Sequence, residues 1–262
     1  MMLQLRRRFI TCGVWLLALW SGMSPAAAGN SVTREPPGIA FYVLRVIYPE
    51  SERKGVTLTA DNKTDQAYLM QSRIRPVDLS TGDVDMSDKV AATAMPFVVT
   101  PPLARLEANG ELVLRIRRND VPLPTDRESV FFISMKAIPS QTAPGQQDGH
   151  EQRMVLTVVS NLKVFYRPAG LNKRALVDTD VASQVRFHRE GNRLIADNPT
   201  PYWLTFSRLQ VGTAVLDKAQ LRLMVPPKGQ QHYTLPDGIT GEVSWTLIDE
   251  DGWDTPVKKL SL

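Results

Sequence analysis

The chain has 262 residues, 43% of them apolar and 22% charged, with a formal charge of +4 and a single cysteine. That composition excludes a disordered tail, a collagenous repeat and a disulfide-stapled scaffold, and the length admits one large domain or two ordinary ones. The first residues form an address. Arg6, Arg7 and Arg8 make a positive head, Ile10 to Trp20 an apolar run too short to span a bilayer, and Ala26, Ala27 and Ala28 a small-residue cleavage site. This pattern predicts a secretory signal over residues 1–28, removed after Ala28. The three arginines leave with it unaccompanied by any acid, so most of the positive charge goes too. A general nucleic-acid surface thereby loses its support. Cys12 also lies in this segment, too early for a lipid-attachment cysteine. The reading is an exported protein that needs no disulfide, as suits a bacterial periplasm.

From Ala40 onward short apolar or alternating runs recur, rich in β-branched and aromatic residues: Phe41–Tyr48, Val56–Ala60, Ala67–Arg75, Phe97–Thr100, Leu112–Ile116, Val130–Ala137 and Met154–Tyr166. Asp61-Asn62-Lys63 and Ala108-Asn109-Gly110 supply turn chemistry between them. Asn62-Lys63-Thr64 matches a glycosylation sequon and is read here as such a turn. Residues 89–95 fit one helical turn or another strand, and 140–153 read as a polar, Gln/Gly-rich loop. This is the strand count of an immunoglobulin-like sandwich. After the break at Arg167-Pro168-Ala169-Gly170 the pattern restarts with Val185–His188, Arg193–Ala196, Leu204–Gln210, Val215–Leu216, Leu221–Val225, Gln231–Leu235 and Val243–Ile248. Two all-β domains, 29–167 and 168–262, follow from that spacing.

The segment 154–166 is unusually long for a strand and apolar on both faces. Met154, Leu156, Val158, Leu162 and Val164 lie on one side, and Val155, Val159 and Phe165 on the other. Such a strand is either central and covered twice, or an edge kept open to lend its backbone to another polypeptide. Two cations interrupt apolar runs, Arg45 in the first strand and Lys163 in the long one. Each either snorkels or finds an anion, and if the strands converge the pair could hold one carboxylate.

Several ordered stretches resemble the periplasmic pilus-assembly chaperones of the chaperone–usher pathway: Arg45-Val46-Ile47-Tyr48-Pro49, Tyr68-Leu69-Met70-Gln71-Ser72, Phe97-Val98-Val99-Thr100-Pro101-Pro102-Leu103, Leu123 to Phe132, Lys136-Ala137-Ile138-Pro139 and Lys163 to Pro168. In the second half Asn198-Pro199-Thr200-Pro201-Tyr202 and Met224-Val225-Pro226-Pro227 extend the likeness, which runs over about residues 38 to 256. The resemblance implies two immunoglobulin-like β-sandwich domains in a boomerang arrangement. It also implies capture of pilus subunits that lack a final strand, by donor-strand complementation, and delivery to an outer-membrane usher. It assigns Met154, Leu156 and Val158 as donor side chains, and Arg45 and Lys163 as the anchor of the subunit's C-terminal carboxylate. Glu128 and Arg167 match two members of an interdomain ion-pair network, with the third near Glu250 and its register open by one residue. Leu44, Ser134 and Glu250 depart from the residues usual in that family. Self-capping of the donor edge by dimerisation is compatible with the same arrangement.

The alternative classes have weaker support. His150, His188 and His232 are scattered, and no nucleophile elbow, phosphate loop or zinc spacing occurs, so neither catalysis, metal nor cofactor is expected. Trp203, Trp245 and Trp253 leave a two-domain β-sandwich adhesin or carbohydrate-binding protein as the second reading, against buried sandwich tryptophans.

Overall fold

A computed structural model describes residues 37–87, 94–140 and 156–262. Eleven strands precede the break at Pro168: β1 (Ile39–Phe41), β2 (Arg45–Pro49), β3 (Val56–Asn62), β4 (Tyr68–Arg75), β5 (Val77–Asp78), β6 (Asp83–Val84), β7 (Phe97–Thr100), β8 (Leu103–Leu106), β9 (Glu111–Arg118), β10 (Ser129–Pro139) and β11 (Val158–Arg167). Period-two alternation sends Leu58, Ala60, Met70, Ile74, Phe97, Leu114, Ile116, Ile133 and Met135 into one core. Two sheets close over it, one in the order β1-β3-β9-β7 and the other β2-β11-β10-β4-β8. The short β5–β6 hairpin stands beside them.

Beyond the break come a helical turn α1 (Ala175–Asp178), a 3-10 turn (Val181–Gln184), and strands β12 (Arg186–Glu190), β13 (Arg193–Asn198), β14 (Phe206–Val211) and β15 (Ala214–Val215). A second helical turn α2 (Lys218–Leu221) follows, then β16 (Gly229–Thr234), β17 (Val243–Leu247) and β18 (Lys258–Leu260). Sheets β12-β13-β16 and β15-β14-β17-β18 enclose a separate core centred on Phe187, Leu194, Leu204, Phe206, Leu209, Tyr233 and Trp245. The protein is thus all-β in architecture, built as two immunoglobulin-like sandwiches.

Both sandwiches carry the same local device after their second long strand. Asn62 donates through Nδ2 to the carbonyls of Gln66 and Glu107, each at 2.7 Å, and accepts from the Thr64 amide and hydroxyl. Asn198 does the same with Tyr202 and Pro226, accepting from Thr200. Asn62 is fully buried with both amide hydrogens engaged, so the sequon is a turn lock.

The structure corrects several expectations. Phe41–Tyr48 is not one strand: β1 pairs with β3 in one sheet, Tyr42 to Leu44 cross over, and β2 pairs with β11 in the other. Unbroken hydrophobicity concealed the switch, because the crossing residues are themselves apolar. Leu221–Val225 is no strand; it ends α2 and makes only a single bridge, Val225 to Leu204. Four short strands were missed, β5, β6, β8 and β18, whose length or mixed and basic sequences give no alternation. Met154 and most of 89–95 and 140–153 lie outside the described residues.

Candidate functional site

The last strand of the first sandwich has two unlike halves. On one side β10 pairs with it antiparallel from Val158 to Tyr166. On the other side β2 pairs with it in parallel, but only from Lys163 to Arg167. Neither alternative read from the sequence describes the whole strand: the C-terminal half is central, whereas the half from Val158 to Leu162 has, among the described residues, an open edge roughly 16 Å long. Exposure follows the same division. Leu156 and Val158 are 71% and 55% exposed, whereas Val164, Phe165 and Tyr166 are buried.

Arg45 and Lys163 meet where the open half gives way to the sealed half. They are direct register partners, and strand alternation turns both away from the sandwich core, toward the second sandwich. Arg45 donates from Nη1 to the Ile248 carbonyl at 2.9 Å, and its guanidinium carbon lies 5.2 Å from the Phe165 ring centroid. Burial draws its pKa down to about 10 against the fields of Glu128, Glu250 and Asp249, with Arg167 adding to the fall. Lys163 is pushed down to about 8, first by burial and then by Arg45 beside it, with Asp83 opposing. Among the described residues no carboxylate comes within ion-pair distance of either cation. Two half-buried positive charges side by side are costly unless an anion joins them.

Four residues further along the same face, Arg167 has every partner it needs. Its Nε lies 2.7 Å from Glu128 Oε1 and its Nη1 lies 2.8 Å from Glu250 Oε1. Nη1 also donates to the carbonyls of Asn172 and Lys173, and the guanidinium sits 4.9 Å from the Tyr202 ring centroid. Burial alone would lower its pKa, but the two carboxylates outweigh that and raise it. Glu128 takes the Trp203 amide at 2.7 Å, and its backbone carbonyl accepts the Trp203 indole N–H. Glu250 receives the first amides of α1, from Leu176 at 3.0 Å and Val177 at 3.1 Å. The network joins β10, β11, α1 and the loop after β17. Between it and the Arg45–Lys163 pair lies a small apolar joint: Val130, Phe165 and Met224, with Ile47, Val77 and Trp203 packed against it.

The sequence-derived candidates therefore fall into three groups. Arg45 with Lys163, and Glu128 with Arg167 and Glu250, are brought together; Leu156 and Val158 stand at the open edge; Met154 lies outside the described residues. The tryptophans divide as well. Trp245 is buried and donates to the Ala182 carbonyl, Trp203 serves the joint, and Trp253 is 72% exposed. His188 and His232 are exposed, and no metal-holding group of three ligands exists among the described residues. Sequence reasoning missed the contacts of Arg45 with Ile248 and of Leu44 with Gly252, because they join positions about two hundred residues apart.

An open strand edge flanked by two sandwiches and closed by a cation pair defines a class of protein built for strand exchange with other chains. The comparisons with known proteins give that class a family. Residues 38–172 match the pili and flagellar-assembly chaperone PapD N-terminal domain, and residues 180–259 match the pili assembly chaperone PapD C-terminal domain. The chain is 35% identical over 224 residues to the chaperone protein FimC of Escherichia coli K12, covering 85% of this chain and 84% of the relative. It is 31% identical over 244 residues to the chaperone protein FimB/FhaD of Bordetella pertussis, covering 91% of each. Among solved structures it is similar to the Escherichia coli chaperone DraB, with a TM-score of 0.68 and 32% identity over 86% of this chain and 99% of that one. It is also similar to a Salmonella enterica structure of the SafA pilin with the SafB chaperone, with a TM-score of 0.71 and 28% identity over 87% and 98%. The chain belongs to the PapD-like family of pilus-assembly chaperones.

Proposed function

We propose that this protein is a periplasmic chaperone, exported with residues 1–28 removed, whose sandwiches 29–167 and 168–262 hold pilus subunits until an outer-membrane usher receives them. The observation that carries the reading is the half-open strand ending at two cations that have no carboxylate partner among the described residues. A subunit missing its last strand exposes an apolar groove and would aggregate. β11 offers it Val158 and an unused backbone ladder, and the segment leading into β11 offers Leu156, with Met154 before it in the sequence. Each large side chain buried contributes ~1.5–3 kcal/mol and each ladder bond ~0.5–1.5 kcal/mol, before ordering costs.

The cations choose the direction of the guest. An added strand parallel to β11 would continue the line of β2 and bring its C-terminal carboxylate to Arg45 and Lys163. An antiparallel one would place its ammonium there, against two like charges. The carboxylate clamp also fixes register, since a slip of one residue turns the donor side chains to the wrong face. Arg167, Glu128 and Glu250 hold the two sandwiches as the walls of this site.

Co-expression with a subunit encoded beside the chaperone gene, followed by periplasmic co-purification, tests the reading. A one-to-one complex lost on Leu156→Asp is expected; an undiminished complex overturns it. The same edge is open to a second copy of this chain, so the size of the free protein belongs in the same experiment.

A further inference from the structure

We infer that the β5–β6 hairpin is an autoinhibitory latch: closed, it bridges the two sandwiches and holds the acid of Asp83 near the cation pair, and capture of a guest carboxylate opens it. The inference rests on carboxylate capture by Arg45 and Lys163 and adds what opposes that capture before a guest arrives. Two contacts place the hairpin. At its base Val77 packs against the apolar joint of Val130 and Phe165, and Phe165 is the ring on which the Arg45 guanidinium lies. At its tip the turn meets the second sandwich. Gly82 is buried there with a φ of +71°, and a Cβ built on it would overlap the Arg222 carbonyl. Both the left-handed backbone and the close approach require glycine, so this turn is shaped for the end of α2. Asp83, the next residue, lies 3.7 Å from the Arg222 guanidinium.

Each side of this dock is internally braced. Asp78 Oδ1 accepts the Ser80 amide and hydroxyl, and the Asp78 carbonyl accepts the Gly82 amide at 2.7 Å. Opposite, Asp217 caps α2 by accepting the Gln220 amide at 2.8 Å, and the Tyr233 hydroxyl donates to the Leu223 carbonyl at 2.7 Å. The hairpin therefore docks and leaves as a unit. Its hold is weak where the other joint is strong. The Asp83–Arg222 pair is long and about half exposed, and such pairs contribute little, whereas Arg167 and its two carboxylates are buried. A force that parts the sandwiches thus frees the hairpin first and turns about Arg167. Asp83 is also the acid whose field opposes the fall in the Lys163 pKa, so its charge reaches the capture site. A guest carboxylate arriving at Lys163 and Arg45 meets that like charge. A closed hairpin then weakens capture, and a bound carboxylate weakens the closed hairpin by the same factor.

The test uses the mature protein, which has no cysteine of its own, with spin labels at Thr81→Cys and Lys218→Cys on the two sides of the dock. The guest is a peptide of the last strand of a co-encoded subunit, as the free acid and as the amide, labelled with fluorescein for binding by anisotropy. Saturating acid is expected to lengthen the label separation, and the amide to leave it unchanged. Gly82→Ala props the turn off Arg222, and Arg222→Ala removes the ion pair without touching the turn. Each should bind the acid about threefold more tightly than the wild type, with the label separation lengthened before any peptide is added. Asp83→Asn should tighten binding at least as much, since the pair and the like charge both go. A separation unmoved by the acid, or unchanged or weaker binding in both Gly82→Ala and Arg222→Ala, overturns the latch even where Asp83→Asn binds more tightly, because Asp83 then acts through its field alone. Equal binding of acid and amide by the wild type and every variant removes instead the carboxylate clamp on which the latch rests.

Discussion

Lys163 and Arg167 stand four residues apart on one face of one strand, and the protein treats them in opposite ways. Arg167 is 3% exposed and meets two carboxylates and two carbonyls; Lys163 is half-buried and meets none among the described residues. A buried charge with all its partners is a joint, because removing one partner strands the others in low dielectric. A buried charge without partners adds nothing to the folded state and makes sense as a reserved position for an anion that comes from outside. The contrast is sharpest under substitution. Arg167→Ala leaves Glu128 and Glu250 facing each other unpaired, and a loss of about 3–5 kcal/mol in urea unfolding is expected. Arg45→Ala should leave the urea midpoint of the free protein nearly unchanged and abolish subunit co-purification. Lys163→Met should raise the midpoint, since it removes a desolvated cation, while weakening capture. If Arg45→Ala instead lowers the midpoint as much as Arg167→Ala, then Arg45 is a second joint and the distinction fails.

The two halves of β11 can be broken apart in the same manner. Val164, fully buried in the sealed half, becomes an unpaired carboxylate in Val164→Asp, and the folded protein should not accumulate. Leu156→Asp, just ahead of the open half, should shift free-protein stability by no more than ~0.5 kcal/mol, because the side chain is already in water. Its whole effect should appear as lost capture in a pull-down of the subunit. A large loss of free-protein stability from Leu156→Asp would mean that its own chain covers the donor edge.

How much of this was legible in the sequence depends on how local each feature is. Alternation along 156–166 is a property of one segment, so the two-faced strand and its outlying Lys163 could be read directly. Which half is sealed could not, because that depends on β2, more than a hundred residues earlier, reaching only as far as Lys163. The turn at Asn62 was readable from its Asx chemistry, whereas the sheet switch at Tyr42–Leu44 hid inside an uninterrupted apolar run. Arg45 and Lys163 could be noticed as misplaced charges, but their adjacency came only from family resemblance until the strands were seen paired. Glu250 had no distinguishing spacing at all among Asp249, Glu250 and Asp251; only its hold on the α1 amides and Arg167 separates it from its neighbours. Trp245 and Trp253 illustrate the same limit, with one deep in a core and the other bare to solvent.

The smallest expected effect is also the one with the most specific sign. Lys163 titrates near 8 when folded and free, against 10.5 unperturbed. Between those values the unfolded chain holds a proton that the folded chain has released, so this group makes free-protein stability rise with pH across that interval. Capture runs the other way. A bound carboxylate requires the protonated lysine, so affinity should fall by up to roughly tenfold for each pH unit above 8. The groups that set the local field are Arg45 and Asp83 around Lys163, and Glu128, Glu250, Asp249 and Arg167 around Arg45. Arg45 titrates two units higher, so of the two cations it is Lys163 that changes charge near pH 8. Lys163→Arg keeps the charge through the whole interval and should flatten the affinity profile measured by anisotropy, whereas Lys163→Met should flatten it at a lower level. A wild-type profile that stays level from pH 7 to 9.5, or an arginine variant that still falls, would show that the carboxylate is held without Lys163.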